Sequence, residues 1–159
     1  MSDLSDGKID YLTSPSAGEI TELKSVPDQY FSKKNLGDGF AVNLSDSIIK
    51  APCDGEIIQV FKAGHAFGLK AESGLELLIH IGIDTVKLDG KGFKKMINSG
   101  DKVKKGQHLV EVDLNLLKKE GFSAATPVVI TNMEDISSLN LIKLGRVEFG
   151  EKVLEFTHI

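Results

Sequence analysis

Four histidines occur in the chain, and two of them stand where imidazole chemistry is feasible. His80 lies inside Leu75-Glu76-Leu77-Leu78-Ile79-His80-Ile81-Gly82-Ile83-Asp84-Thr85, a run that is otherwise mostly apolar. Read as a strand, this run sends Glu76, Leu78, His80 and Gly82 to one face and Leu77, Ile79 and Ile81 to the other. Gly82 beside the imidazole leaves room for another molecule to approach. His65 precedes it in Gly64-His65-Ala66-Phe67. If Glu72-Ser73-Gly74 is the turn of a hairpin, the two histidines fall within one residue of opposite positions, near enough to share a ligand or a phosphoryl group.

A neutral imidazole is a nucleophile near physiological pH. If a backbone carbonyl accepts from Nδ1–H, the lone pair is fixed on Nε2. A second histidine can then donate to phosphoryl oxygens, whose charge must be stabilised during transfer. Such a step needs neither metal nor nucleotide. The bland alternative is that His80 is a hydrogen-bonded core residue. A third reading has the two histidines hold zinc, with Glu76 or Asp84 as the only nearby candidates for another ligand. No His-x-His or His-Glu-x-x-His pattern is present, which argues against metal-dependent hydrolysis. His108, in a Lys-rich turn, and His158, near the C-terminus, carry no such signal. Cys53, between Pro52 and Asp54, reads as a turn residue, and the lysines from Lys87 to Lys105 as a solvated face. Gly90-Lys91-Gly92 lacks the spacing of a phosphate-binding P-loop.

The elements that must position these residues are mostly strands. Short runs rich in Val, Ile, Leu and Phe recur at Gly55–Phe61, Phe67–Ala71, Leu75–Ile81, His108–Val112, Val128–Thr131 and Lys152–Phe156, divided by Gly, Asp, Asn, Ser and Pro clusters. Helical patterns are short, at Asp28–Lys34, Gly92–Asn98 and Leu114–Glu120. An all-β fold follows: an antiparallel β-sandwich or barrel with a few short helical turns. Two echoes point to a duplicated strand motif packed face to face. Ser14-Pro15-Ser16-Ala17-Gly18-Glu19-Ile20 is matched by Ala51-Pro52-Cys53-Asp54-Gly55-Glu56-Ile57. Val103-Lys104-Lys105-Gly106 with Leu109–Val112 is matched by Val147-Glu148-Phe149-Gly150 with Val153–Phe156. Two copies are too few for a solenoid.

With 159 residues the chain fits one domain with a sizeable core, expected over residues 12–159 behind a flexible leader or linker remnant at 1–11. A net charge of −4 offers no basic field for nucleic acid. One cysteine excludes an internal disulfide and fits a reducing compartment. The polar start is unlike a signal peptide, and no apolar run approaches a membrane span. The expectation is a cytoplasmic protein with no direct membrane insertion.

These residues resemble the glucose-family enzyme IIA domain of the bacterial phosphoenolpyruvate-dependent sugar phosphotransferase system. The resemblance is carried by Val26-Pro27-Asp28 with Phe31, Gly37-Asp38-Gly39, Ala51-Pro52-Cys53-Asp54-Gly55, Gly64-His65-Ala66-Phe67, Leu78 to Thr85, Gly90-Lys91-Gly92-Phe93, and Thr126-Pro127-Val128-Val129-Ile130-Thr131-Asn132. It covers nearly the whole chain after Tyr11, and its most specific stretch is His80 to Thr85.

The resemblance implies a phosphotransferase component that forms a phosphohistidine. His80 matches the residue that accepts the phosphoryl group from the histidine-containing phosphocarrier HPr and gives it to the sugar-specific enzyme IIB. His65 matches the second histidine, which supports transfer, and Gly82 the position whose carbonyl orients the nucleophile's ring. Phe31, Phe61, Phe67, Leu78 and Val86 match an apolar docking patch, with Asp28 and Asp84 as rim carboxylates for basic partners. No cofactor is required, although zinc at a partner interface, held by His65 and His80, is compatible with it. Phosphorylation-dependent binding to transporters or metabolic enzymes is a further role that the resemblance implies. One departure stands out. The family often has Thr two residues before the second histidine, bonded to its ring, and Ala63 stands there. A lipoyl- or biotin-carrier reading fails because neither Val-x-x-Gly repeat puts a lysine at a hairpin tip in the needed context.

Overall fold

Alternation of apolar and polar side chains is visible in the strand that bears His80. Glu76–His80 buries Leu77 and Ile79 and leaves Glu76, Leu78 and His80 half-buried. The computed structural model describes residues 9–159. Its strands are β1 (Ile9–Thr13), β2 (Gly18–Glu22), β3 (Asp38–Leu44), β4 (Ile48–Lys50), β5 (Gly55–Val60), β6 (Ala66–Ala71) and β7 (Glu76–His80). The second half adds β8 (Phe93–Lys95), β9 (Lys102–Val103), β10 (His108–Val112), β11 (Ala125–Ile130), β12 (Ile136–Leu141), β13 (Gly145–Val147) and β14 (Lys152–His158). Helices α1 (Gln29–Ser32) and α2 (Leu114–Lys119) are short, with 3-10 turns at Leu23–Ser25, Thr85–Leu88 and Met133–Asp135. This is the antiparallel all-β fold expected.

Among the described residues the strands form an eight-stranded sheet in the order β13-β2-β3-β11-β7-β6-β5-β9 and two three-stranded sheets, β1-β14-β12 and β4-β10-β8. The main core lies between them: Phe40, Val42, Phe67, Leu69, Leu77, Ile79, Val128 and Ile130 of the large sheet meet Leu12, Leu154, Phe156, Ile49 and Val110 of the small ones. Removing such side chains from water stabilises the fold by roughly 1.5–3 kcal/mol each, against the entropy of ordering the chain. A second cluster covers part of the opposite face of the large sheet. There Leu23, Val26 and Phe31 pack on Ala41, Ile83 and Val129, with Leu78 and Ala125 at its edge.

The strand order of the large sheet reads as a palindrome about the β11–β7 pair, and the sequence echoes map onto it. Gly18 pairs with Val147 between β2 and β13, as Gly55 pairs with Val103 between β5 and β9. Thr13 pairs with Lys152 as Lys50 pairs with His108. The connecting hydrogen bonds repeat as well: Ser14 N–H donates to the Glu151 carbonyl at 2.9 Å, and Ala51 N–H to the Gln107 carbonyl at 2.9 Å. The expected duplication is therefore a pseudo-twofold arrangement of strand units.

Two expectations are corrected. Gly92–Asn98 is not helical; Phe93–Lys95 forms β8, with Phe93 opposite Val112 and Lys95 opposite Val110. The helix-like spacing of Phe93 and Ile97 is outweighed by the edge of β10, whose backbone groups need partners. Of the leader expected over residues 1–11, residues 1–8 lie outside those described. Ile9 to Tyr11 belong to β1, with Ile9 opposite Thr157 and Tyr11 opposite Glu155.

Candidate functional site

His80 is the last residue of β7, and the chain turns sharply after it. Gly82 takes φ +73°, in the left-handed region that favours glycine. The turn brings the Gly82 carbonyl to 2.8 Å from Nδ1 of His80. A carbonyl only accepts, so Nδ1 carries the proton and the lone pair of the neutral ring sits on Nε2. On its other side the ring meets Phe31 of α1, with centroids 5.1 Å apart.

β6 and β7 pair so that Ala66 stands opposite His80, the register expected from a turn at Glu72–Gly74. His65 precedes the strand and follows Gly64, which has φ +82°, so it escapes the strict alternation of β6. Its carbonyl accepts from Ile81 N–H at 2.6 Å. This bond extends the ladder and ties the His65 backbone to the residue after His80. The two imidazoles lie 5.1 Å apart at 81°, edge to face. Phe61 and Phe93 enclose His65, with centroids at 5.6 and 6.4 Å. His65 is 5% exposed, and its buried Nδ1 has no hydrogen-bond partner among the described residues. Ala63 supplies no hydroxyl, in line with the departure noted in the sequence. Among the described residues His65 is held by packing against Phe61, His80 and Phe93 rather than by a ring hydrogen bond.

Burial lowers the pKa of both histidines. At His80 the Gly82 carbonyl and the carboxylates of Asp28 and Asp84 pull the other way, but burial prevails. At His65 the neighbouring His80 adds to the lowering. Both rings are therefore neutral near pH 7, with a free lone pair available on His80.

The expected partner-facing residues divide into two groups. Phe61 is 37% and Val86 55% exposed, while Leu78 is half-buried on the same face as His80. Asp84 is exposed and opens the 3-10 turn after Gly82. Asp28 is half-buried and caps α1, its Oδ1 accepting from Tyr30 N–H at 2.9 Å. Phe31 is buried and backs the His80 ring. Phe67 is a correction. It is fully buried in the main core, opposite Ile79 and on the reverse face from His80. The alternation that directs His80 outward directs Phe67 inward, so it forms no part of a surface.

Phe93 was given no role from the sequence, yet it packs on His65; its signal was its place in Gly90-Lys91-Gly92-Phe93. Cys53 is half-buried, and burial together with Asp54 pushes its thiol pKa up to about 11, which leaves it unreactive. A surface groove lined by Ser45, Asp113, Asn115 and Arg146 among others does not include either site histidine. A histidine presented to a protein partner needs no enclosed pocket. Among the described residues no group of three His, Cys, Asp or Glu side chains is arranged to hold a metal ion, and no helix is long and apolar enough to cross a membrane.

Comparison with known proteins gives this arrangement its context. Residues 10–136 match the family described as phosphoenolpyruvate-dependent sugar phosphotransferase system, EIIA 1. The glucose-specific EIIA component of Staphylococcus epidermidis is 40% identical over 144 residues, covering 90% of this chain and 87% of that protein. The N-acetylglucosamine-specific EIICBA component of Klebsiella pneumoniae is 40% identical over 146 residues, 92% of this chain but 22% of that protein, so the chain spans about a fifth of this multidomain relative. The structure of glucose permease IIA from Mycoplasma capricolum superposes with a TM-score of 0.87 at 37% identity, covering 94% of this chain and 97% of that one. The chain belongs to the EIIA 1 family of the phosphoenolpyruvate-dependent sugar phosphotransferase system and is a phosphotransferase component of that relay.

Proposed function

We propose that His80 is the residue that carries the phosphoryl group. The observation that supports this most is the 2.8 Å bond from its Nδ1 to the Gly82 carbonyl, which leaves the Nε2 lone pair free for attack. The donor is a phosphohistidine on HPr. Nε2 of His80 attacks phosphorus in line as the phosphorus–nitrogen bond of the donor breaks, and the donor imidazole departs with the bonding pair. The proton of His80 stays on Nδ1, donated to the Gly82 carbonyl, and the phosphorylated ring is cationic, its charge offset by the phosphoryl oxygens. His65, neutral and 5.1 Å away, donates from Nε2–H to the phosphoryl oxygens. Nε2 of His80 then gives the group to the sugar-specific EIIB.

Both partners meet the face around His80. Phe61, Leu78 and Val86 supply its apolar area, and Asp28 and Asp84 its acidic rim for basic residues of HPr. Phe31 acts from beneath by supporting the ring. The transfer requires no cofactor, and zinc at the two imidazoles would need a further ligand from a partner. Phosphoryl exchange with these partners takes place in the cytoplasm.

The test is mass spectrometry after incubation with phosphoenolpyruvate, enzyme I and HPr, under conditions that spare acid-labile phosphohistidine. One phosphoryl group on His80, absent in H80Q, is expected. H65Q should take up the group but donate it to EIIB more slowly. No uptake from HPr that is active on a control acceptor would overturn the assignment, and normal donation by H65Q would remove the role of His65.

A further inference from the structure

We infer that Thr85 and Thr126 are positioning residues for His80, acting through the peptide plane between Ile81 and Gly82. The inference rests on His80 being the phosphoryl carrier. Gly82 supplies the carbonyl that fixes the tautomer of His80, yet glycine is the residue least able to fix its own backbone. Left to itself, this carbonyl could swing away from Nδ1, and the proton could move to Nε2 and block the nucleophile. Something else must hold the turn.

The preceding peptide plane is pinned at both ends by buried hydroxyls. Thr85 Oγ1 donates to the Ile81 carbonyl at 2.5 Å. Gly82 N–H donates to Thr126 Oγ1 at 3.4 Å, and that hydroxyl spends its own proton on the Ala124 carbonyl at 3.1 Å. Thr126 is thus left with lone pairs directed at Gly82, and the donor and acceptor roles are consistent throughout. Both threonines are fully buried, where an unmade hydrogen bond is costly. The methyl group of Thr85 also lies against Gly82: a Cβ built there would stand 2.5 Å from Thr85 Cγ2. On the far side, Ile83 N–H donates to the Ser123 carbonyl at 3.2 Å. With its neighbours tethered, Gly82 has one orientation for its carbonyl.

Threonine permits a clean dissection, because Val keeps its shape without the hydroxyl and Ser keeps the hydroxyl without the methyl. The experiment records the tautomer of His80 by long-range proton–nitrogen correlation NMR of the full chain, together with phosphoryl uptake from HPr. In the wild-type protein the proton resides on Nδ1. T85V should show a mixture of tautomers and uptake slowed about ten-fold, the scale of loss when a partner that orients an imidazole is removed. T85S should keep the wild-type spectrum and most of the rate. T126V tests the other end of the plane and should shift the tautomer in the same direction, so the inference does not hang on one variant folding. Wild-type tautomer in folded T85V and T126V would overturn it, and so would slower uptake with an unchanged tautomer, since that marks general loosening. Uptake retained by H80Q would sink the carrier reading itself, and it is read separately from the threonine variants.

Discussion

An imidazole that accepts a phosphoryl group must be unprotonated at the attacking nitrogen, and at His80 two influences compete for that state. Burial lowers its pKa, whereas the Gly82 carbonyl, Asp28 and Asp84 raise it, and the balance falls below the ordinary value of 6.5. His65 is lowered too, by burial and by His80. The sign for stability follows. Between the lowered folded pKa and the unfolded value, the unfolded chain binds more protons, so stability rises with pH. Acidification through about pH 6.5 therefore destabilises the fold, and the loss levels off below the folded values. Thermal melts followed from about pH 8 down to about pH 5 should show this decline, with a shallower fall in H65Q. Uptake from HPr should decline on the acid side with a midpoint below that of free histidine. A midpoint above it would mean that the two carboxylates outweigh burial. The histidine pair was legible from residue types and the turn between them. The acceptor of Nδ1 was named only by the family resemblance and not by residue pattern, because it depends on how the chain turns at Gly82.

At the scale of elements, α1 has four residues, too few to persist by helix propensity. Its support is the Asp28 cap and the burial of Phe31 against His80 and the large sheet. Asp28 thus serves the helix and, in the proposed docking, the acidic rim. D28A should cost about 1 kcal/mol of stability through the lost cap; D28N keeps a capping oxygen and removes only the charge. Urea unfolding paired with uptake rates at varied HPr concentration separates the two. D28N should unfold near the wild-type midpoint yet take up phosphate more slowly at low HPr, whereas D28A should be weakened in both. A D28N protein with wild-type uptake would remove the rim role. The helical segments at Asp28–Lys34 and Leu114–Glu120 were legible from local pattern, with observed helices at Gln29–Ser32 and Leu114–Lys119. Phe93–Lys95 was not, because its strand state is set by pairing with β10.

Across the whole molecule the pseudo-twofold arrangement is broken at the site. Phe67 stands opposite Ile79 in one half as Phe40 stands opposite Val128 in the other. One residue beyond Ile79 and Val128, His80 corresponds to Val129; two residues before Phe67 and Phe40, His65 corresponds to Asp38. Val129 lies beneath Leu23, Val26 and Phe31, whereas His80 remains half-buried at the edge of that cover. A duplicated fold therefore presents one histidine pair, in keeping with the single phosphoryl group proposed for the chain. The same division of faces separates stability from docking. F67A should lose about 3–5 kcal/mol of stability, read from urea unfolding. F61A, on a side chain that is 37% exposed, should leave unfolding nearly unchanged and weaken HPr binding measured by calorimetry. Equal HPr affinity in F61A would remove Phe61 from the interface.

The sequence by itself determined the strand content, the hairpin register that brings His65 near His80, and the echoes of the duplicated units. Each depends on short-range periodicity or on turn residues, which act over a few positions. The inward course of Phe67 was also within its reach, since the same register sets it opposite Ile79. Only the tertiary structure decided which face of the large sheet is covered and which distant hydroxyl receives the Gly82 amide; the Gly82 carbonyl itself was named by the family resemblance. Thr85 bonds the Ile81 carbonyl four residues before it, within the turn, whereas Thr126 reaches the Gly82 amide from 44 positions away only because β7 lies beside β11. Pairing between distant strands fixes such contacts, and no local pattern encodes it.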